Sequence, residues 1–135
     1  MSLFEIKELI RDAELQSKRV PGSVNLIAVS KKQPHSRILK VLDFGHRAFG
    51  ENRVQEAAVK WPIWKEKYRD VCLHLLGPLQ TNKVKDAINI FDFVHSLDRE
   101  KLAKVFAENI NKIGKSPEFF IQVNTGAESQ KSGVL

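Results

Sequence analysis

The sequence predicts an α/β fold built on a parallel sheet. Two observations predict it: short apolar runs alternate with longer amphipathic ones along the whole chain, and turn residues mark each change. Five strands alternating with helices imply βα units. Composition agrees, because 135 residues with 42% hydrophobic and 28% charged side chains suit one globular domain, 1–135. The single cysteine, Cys72, cannot form an internal disulfide, so a reducing cytoplasm is the expected location. No apolar run approaches the roughly 20 residues of a membrane helix, and Glu5, Glu8, Asp12 and Glu14 interrupt any secretory signal.

The elements follow in order. Leu3, Ile6, Leu9, Ile10 and Ala13 recur at helical spacing, predicting a helix over 2–18 that Pro21-Gly22 ends. The run Asn25–Ser30 is apolar and bounded by turn residues, a buried strand. Ser36 is placed to cap a helix through Ile38, Leu39, Val41, Leu42 and Phe44, and Gly45 stops it. Arg47–Phe49 is a second, short strand, and Asn52 is placed to cap a helix that Pro62 disturbs. Val71–Leu76 is the third strand, broken by Gly77-Pro78, and Asn82 opens the next helix through Val84, Ala87, Ile88 and Ile90. Asp92–His95 is the fourth strand; Ser96 or Asp98 caps a long helix that ends near Gly114, and Phe119–Asn124 is the fifth strand. Two architectures fit this order, an open doubly wound sheet or part of a (β/α)8 barrel. The first strand lacks a G-x-G-x-x-G turn, which counts against a dinucleotide fold.

The net charge of +6 invites a nucleic-acid reading, but the chain has no long block of like charge and reads as a mixed solvated surface. In either architecture ligands bind at the carboxyl ends of strands, and polar groups gather there. Lys31 ends the first strand. It is either a lysine reaching out to solvent or an amine whose charged form is disfavoured at the rim of an apolar layer, as Schiff-base chemistry with an aldehyde requires. Asn52 follows the second strand as a helix cap or a ligand contact. His74 lies within the third strand, packed or facing a ligand. Gly77–Lys83 is a strand-to-helix loop able to cradle an anion with its N–H groups. His35, His46 and His95 have no metal-ligand spacing with one another or with Cys72. Cys72 reads as a buried structural thiol, and Trp61 and Trp64 as packing one helix face.

Four stretches together resemble the pyridoxal 5′-phosphate homeostasis protein family, whose fold is like the N-terminal barrel domain of alanine racemase. They are Leu26–Lys31, Phe49–Glu56, His74–Lys83 and Ile121–Gly133. The resemblance implies a partial (β/α)8 barrel of about five parallel strands and a pyridoxal 5′-phosphate cofactor held as an aldimine on Lys31. It implies that Asn52 lines the cofactor ring and that His74, Gly77 and Asn82 border the same site. Thr81 stands where the family commonly has serine. The family's chains run on for three more βα units carrying the phosphate-binding segments. The chain is therefore expected to be an incomplete barrel that needs a complementing chain or segment.

The resulting expectation is a binding protein that buffers the cofactor or delivers it to cofactor-dependent apoenzymes, without turnover. The alternatives are an inactive fragment of the family and a racemase-like enzyme, which needs an acid/base on each face; in alanine racemases, which the family resembles, the second is a tyrosine of a partner subunit, and the only tyrosine here, Tyr68, falls on a helix or loop away from the strand ends. Lys131, in the loop after the fifth strand, is either an anion contact or a surface lysine.

Overall fold

A computed structural model describes residues 1–135. The elements in chain order are α1 (Leu3–Gln16), β1 (Ala28–Val29), α2 (His35–Asp43), β2 (Ala48–Glu51), α3 (Val54–Lys67) and β3 (Cys72–Leu75). A 3-10 turn (Thr81–Lys83) then leads into α4 (Val84–Ile90), β4 (Phe93–Leu97), α5 (Glu100–Ile113) and β5 (Glu118–Ile121). The strands form one five-stranded parallel sheet in the order β1-β2-β3-β4-β5. A doubly wound sheet needs a point where strand order reverses. None exists here, so the sheet is an arc of the barrel type.

The two sheet faces differ. On one, Phe49 packs against Trp61 of α3 and Phe119 against Phe106 of α5. With Leu73, Leu75 and Val94 they belong to a core layer between sheet and helices. Strand alternation puts the intervening residues on the other, inner face. There Val29, Gly50, His74 and Phe93 are successive register partners. No helix covers this face: Val29 is 48% exposed and Phe120 51%.

Several local expectations change. The β1 ladder is limited to Ala28 and Val29 rather than the buried run Asn25–Ser30, because as an edge strand it has one neighbour, and Val29 lies on the uncovered face. The caps also shift. The residues preceding α2, α3 and α5 are Pro34, Arg53 and Arg99, none with a side-chain cap, so Ser36, Asn52, Ser96 and Asp98 do not play that role. Asn82 lies inside the 3-10 turn, and Lys83 precedes α4. Pro62 sits within α3 without ending it. Gly114 ends α5 in the left-handed conformation, as glycine does at that position. Cys72 is exposed rather than buried, because it shares the inner parity of His74 and that face is open. Trp61 and Trp64 pack the α3 face as expected and are buried. In α1 only Glu14 is buried, and its carboxylate accepts hydrogen bonds from the N–H groups of Gly22 and Val24, tying down the turn that leads to β1.

Candidate functional site

The carboxyl ends of the strands bring backbone and polar side chains close together. At the end of β1, Ser30 continues the pairing with β2: its N–H donates to the Gly50 carbonyl at 2.9 Å. Its hydroxyl points into the helix-facing layer and donates to Glu51 Oε1 at 2.8 Å. Lys31 is next, just beyond β1. It is exposed, sits in a turn and enters no ion pair. Lys32 follows with φ 55, a left-handed conformation unusual for a lysine.

At the end of β2, Gly50 has no room for a side chain. A Cβ there would stand 2.5 Å from Leu76 Cδ1, so glycine lets Leu76 close over the strand. Half-buried Asn52 lies against β3 in the same way, because a Cβ on buried Gly77 would overlap the Asn52 carbonyl. Two sequence-predicted site residues thus meet through their backbones.

His74 lies one layer deeper on the inner face. Its ring stacks on Phe93 with centroids 4.5 Å apart, and its Nδ1 is 2.9 Å from His95 Nε2. His95 in turn stacks on Phe120 at 4.5 Å. Burial pushes the His74 pKa down to about 4, and repulsion from His95 adds to the effect. Burial lowers His95 as well. At neutral pH the pair is therefore uncharged, one ring donating the hydrogen bond and the other accepting it.

Two cavities open at the rim. One, of about 670 Å³, is bordered by Asn52, Arg53, Gln80, Lys83 and Arg99. The other, of about 350 Å³, lies between Leu76, Pro78 and the loop after β5. That loop is built by Asn124, whose side chain accepts from the Glu128 N–H and donates to the Glu128 carbonyl. Lys131 is ion-paired with Glu128 within it. Lys31 lines neither cavity, and Asn82 is exposed while its neighbour Lys83 borders the larger one.

Sequence reasoning missed a charged cluster behind this rim. Glu51, wholly buried in the helix-facing layer, accepts at Oε1 from Ser30, from Trp61 Nε1 at 3.0 Å and from Lys60 Nζ at 3.0 Å. Lys60 also donates to Glu56 Oε1 at 2.8 Å and to the Ser30 carbonyl at 3.2 Å. Glu56 Oε1 accepts from the Lys32 N–H at 2.7 Å. Burial alone would push the Lys60 ammonium down, but the bonds to Glu56 and Glu51 outweigh it and hold its pKa above the usual value. Glu56 is held below the usual carboxylate range, first by its bond from Lys60 and then by the Lys32 N–H. The available signal was Glu51 itself, a carboxylate at helix-facing parity in an otherwise apolar strand.

No family model matches the chain. Among known proteins, it is 41% identical over 135 residues to the pyridoxal phosphate homeostasis protein of Vibrio alginolyticus, covering 98% of this chain and 58% of that protein. Among solved structures, PipY of Synechococcus elongatus PCC7942 with PLP bound superposes with a TM-score of 0.77 at 40% identity, covering 96% of this chain and 58% of PipY. A protein of unknown function from Bifidobacterium adolescentis gives a TM-score of 0.90 at 28% identity, covering 98% of this chain and 57% of that one. The chain thus spans somewhat less than three-fifths of the length of the relatives it matches, and over that span it is similar in sequence and fold to pyridoxal phosphate homeostasis proteins.

Proposed function

We propose that these 135 residues are a pyridoxal 5′-phosphate-holding domain, joined to the cofactor as a Schiff base through the Lys31 amine. Its role is cofactor homeostasis in the cytoplasm, supplying cofactor-dependent apoenzymes. The observation that carries the reading is the placement of Lys31. It follows β1 at the carboxyl end of the sheet, exposed, with an amine that enters no ion pair.

The donor set fits the aldehyde and ring end of such a group. When bound, the cofactor supplies an electrophilic aldehyde, which condenses with a primary amine and releases water. The chain supplies the amine at Lys31, an amide at Asn52 and neutral imidazoles at His74 and His95. Gly77 packs against the Asn52 backbone at the rim, and the 3-10 turn that carries Asn82 borders it through Lys83. The phosphate end requires a complementing segment, which the open β5 edge and the uncovered inner face are suited to receive.

A holding role rather than turnover is supported by Tyr68. It lies before β3, at the amino end of the sheet, and its hydroxyl donates to Asp43 at 2.6 Å, far along the strands from the rim. Racemisation would need a second acid/base on the opposite face of the reacting carbon, and Tyr68 does not supply it from this position. Borohydride reduction of the chain incubated with pyridoxal 5′-phosphate, followed by peptide mapping, tests the proposal. The expected label is on Lys31 and is lost in Lys31→Ala; a label on another lysine, or none, refutes it.

A further inference from the structure

Lys31 is exposed and its side chain enters no hydrogen bond or ion pair, yet the peptide units on both sides of it are bonded to one charged cluster. On its amino side, the Ser30 N–H and hydroxyl both donate to the Gly50 carbonyl, the hydroxyl also donates to Glu51, and the Ser30 carbonyl accepts from Lys60 Nζ and from the Gln33 N–H, which closes the turn over Lys31 and Lys32. On its carboxyl side, the Lys32 N–H is held by Glu56 Oε1. The same Lys60 ammonium bonds both Glu51 and Glu56, so the two anchors are one cluster. We propose that the Glu51–Lys60–Glu56 cluster is a positioning device for Lys31, fixing the two flanking peptide units so that the amine is presented to an aldehyde from one direction.

The argument begins with position. Glu56 and Lys60 lie one turn apart on the first half of α3, and Glu51 ends β2, so helix and strand both contribute to the clamp. Stability does not call for this arrangement. Buried ion pairs can often be replaced by apolar side chains of similar volume at little cost to folding, and here Glu51 Oε2 is buried without any partner, an unfavourable detail that packing alone would remove. Geometry supplies a reason to keep it. Lys32 occupies the left-handed region, where a non-glycine residue is strained and must be held by its surroundings. The bond from its N–H to Glu56 helps to hold it, together with the turn bond from the Gln33 N–H to the Ser30 carbonyl. A flexible side chain reacts faster when its backbone is already in place, because less freedom is lost on the way to the bound geometry.

This inference rests on Lys31 being the reactive amine, and the test separates the two claims. Three variants are compared with the wild-type chain: Glu56→Ala, Glu56→Gln, and the double variant Glu51→Gln with Lys60→Met, which removes the wholly buried carboxylate together with its ammonium and leaves charged only the part-exposed Glu56. Two quantities are read, the rate of Lys31 labelling by pyridoxal 5′-phosphate with borohydride and the hydrogen-exchange protection of the Lys32 amide, which needs no cofactor. In Glu56→Ala and the double variant, labelling is expected to slow about tenfold. The Lys32 amide loses protection in Glu56→Ala, while amides in β2, β3 and α3 keep theirs. Glu56→Gln retains an acceptor for that amide and stays near wild type. Unchanged labelling in folded Glu56→Ala and in the double variant overturns the positioning role, as does an unprotected Lys32 amide in the wild-type chain. A wild-type chain labelled elsewhere than Lys31 refutes the underlying reading, and this inference with it.

Discussion

Mild acid should unsettle the inner face of the sheet before most surface carboxylates are protonated. His74 has a pKa of about 4 in the folded chain, lowered from 6.5 by burial and by His95 beside it; Asp92 pulls weakly the other way. An unfolded chain takes up this proton near 6.5, the folded one only near 4. Above the higher value both states are neutral and the stability is fully present. As pH falls through the window the unfolded state binds more protons, so stability is progressively lost. At about 1.4 kcal/mol per pKa unit, a displacement of about two and a half units corresponds to roughly 3 kcal/mol by the lower end of the window. His95 is lowered too and adds a loss of the same sign. Denaturant titrations followed by Trp61 and Trp64 fluorescence, repeated from about pH 7 to pH 4 on wild type and His74→Gln, isolate the effect, because carboxylates such as Glu56 titrate in both proteins. The difference between the two stabilities is expected to change by a few kcal/mol across the window, wild type falling more steeply. Parallel profiles would show that His74 is not held neutral by the fold and would refute the reasoning.

Two substitutions probe the packing around the rim. Gly77→Ala places a Cβ against the Asn52 carbonyl, a backbone atom that cannot step aside, so stability should fall by about 1–3 kcal/mol, measured as a lower denaturation midpoint. Ser96 is wholly buried on the helix-facing side of β4 with its hydroxyl unpartnered. Ser96→Ala removes a desolvated group without removing a hydrogen bond, and thermal unfolding should show equal or greater stability, by up to about 1 kcal/mol.

The succession of strands and helices was legible because period and punctuation are local properties. Phe49, Leu73, Leu75 and Val94 alternate with inner-face residues as half-buried strands require. Barrel type was not legible from period alone; it follows from sequential strand order, a long-range property. The caps were misplaced because serine, asparagine and aspartate at strand ends satisfy the same local pattern. Here Ser96 is drawn into the β4 ladder and Asn52 into contact with Gly77. Cys72 looked buried because its strand is apolar, yet one face of that strand is open. Of the candidate site, Lys31, Asn52 and Gly77 were readable as polar or glycine residues following strands. The pairing of His74 with His95 depends on β3–β4 register, which no single-strand pattern encodes. The Glu51–Lys60–Glu56 cluster escaped notice because glutamate and lysine in a charged stretch read as solvated side chains.

The sequential strand order has a consequence for how the chain acquires its shape. Every ladder joins segments separated by a single helix, so each ring closure spans a short stretch of polypeptide and its entropic cost stays small. A strand leaving the ribosome meets its neighbour already made. Assembly over these residues can therefore proceed vectorially, each strand pairing with the one made before it.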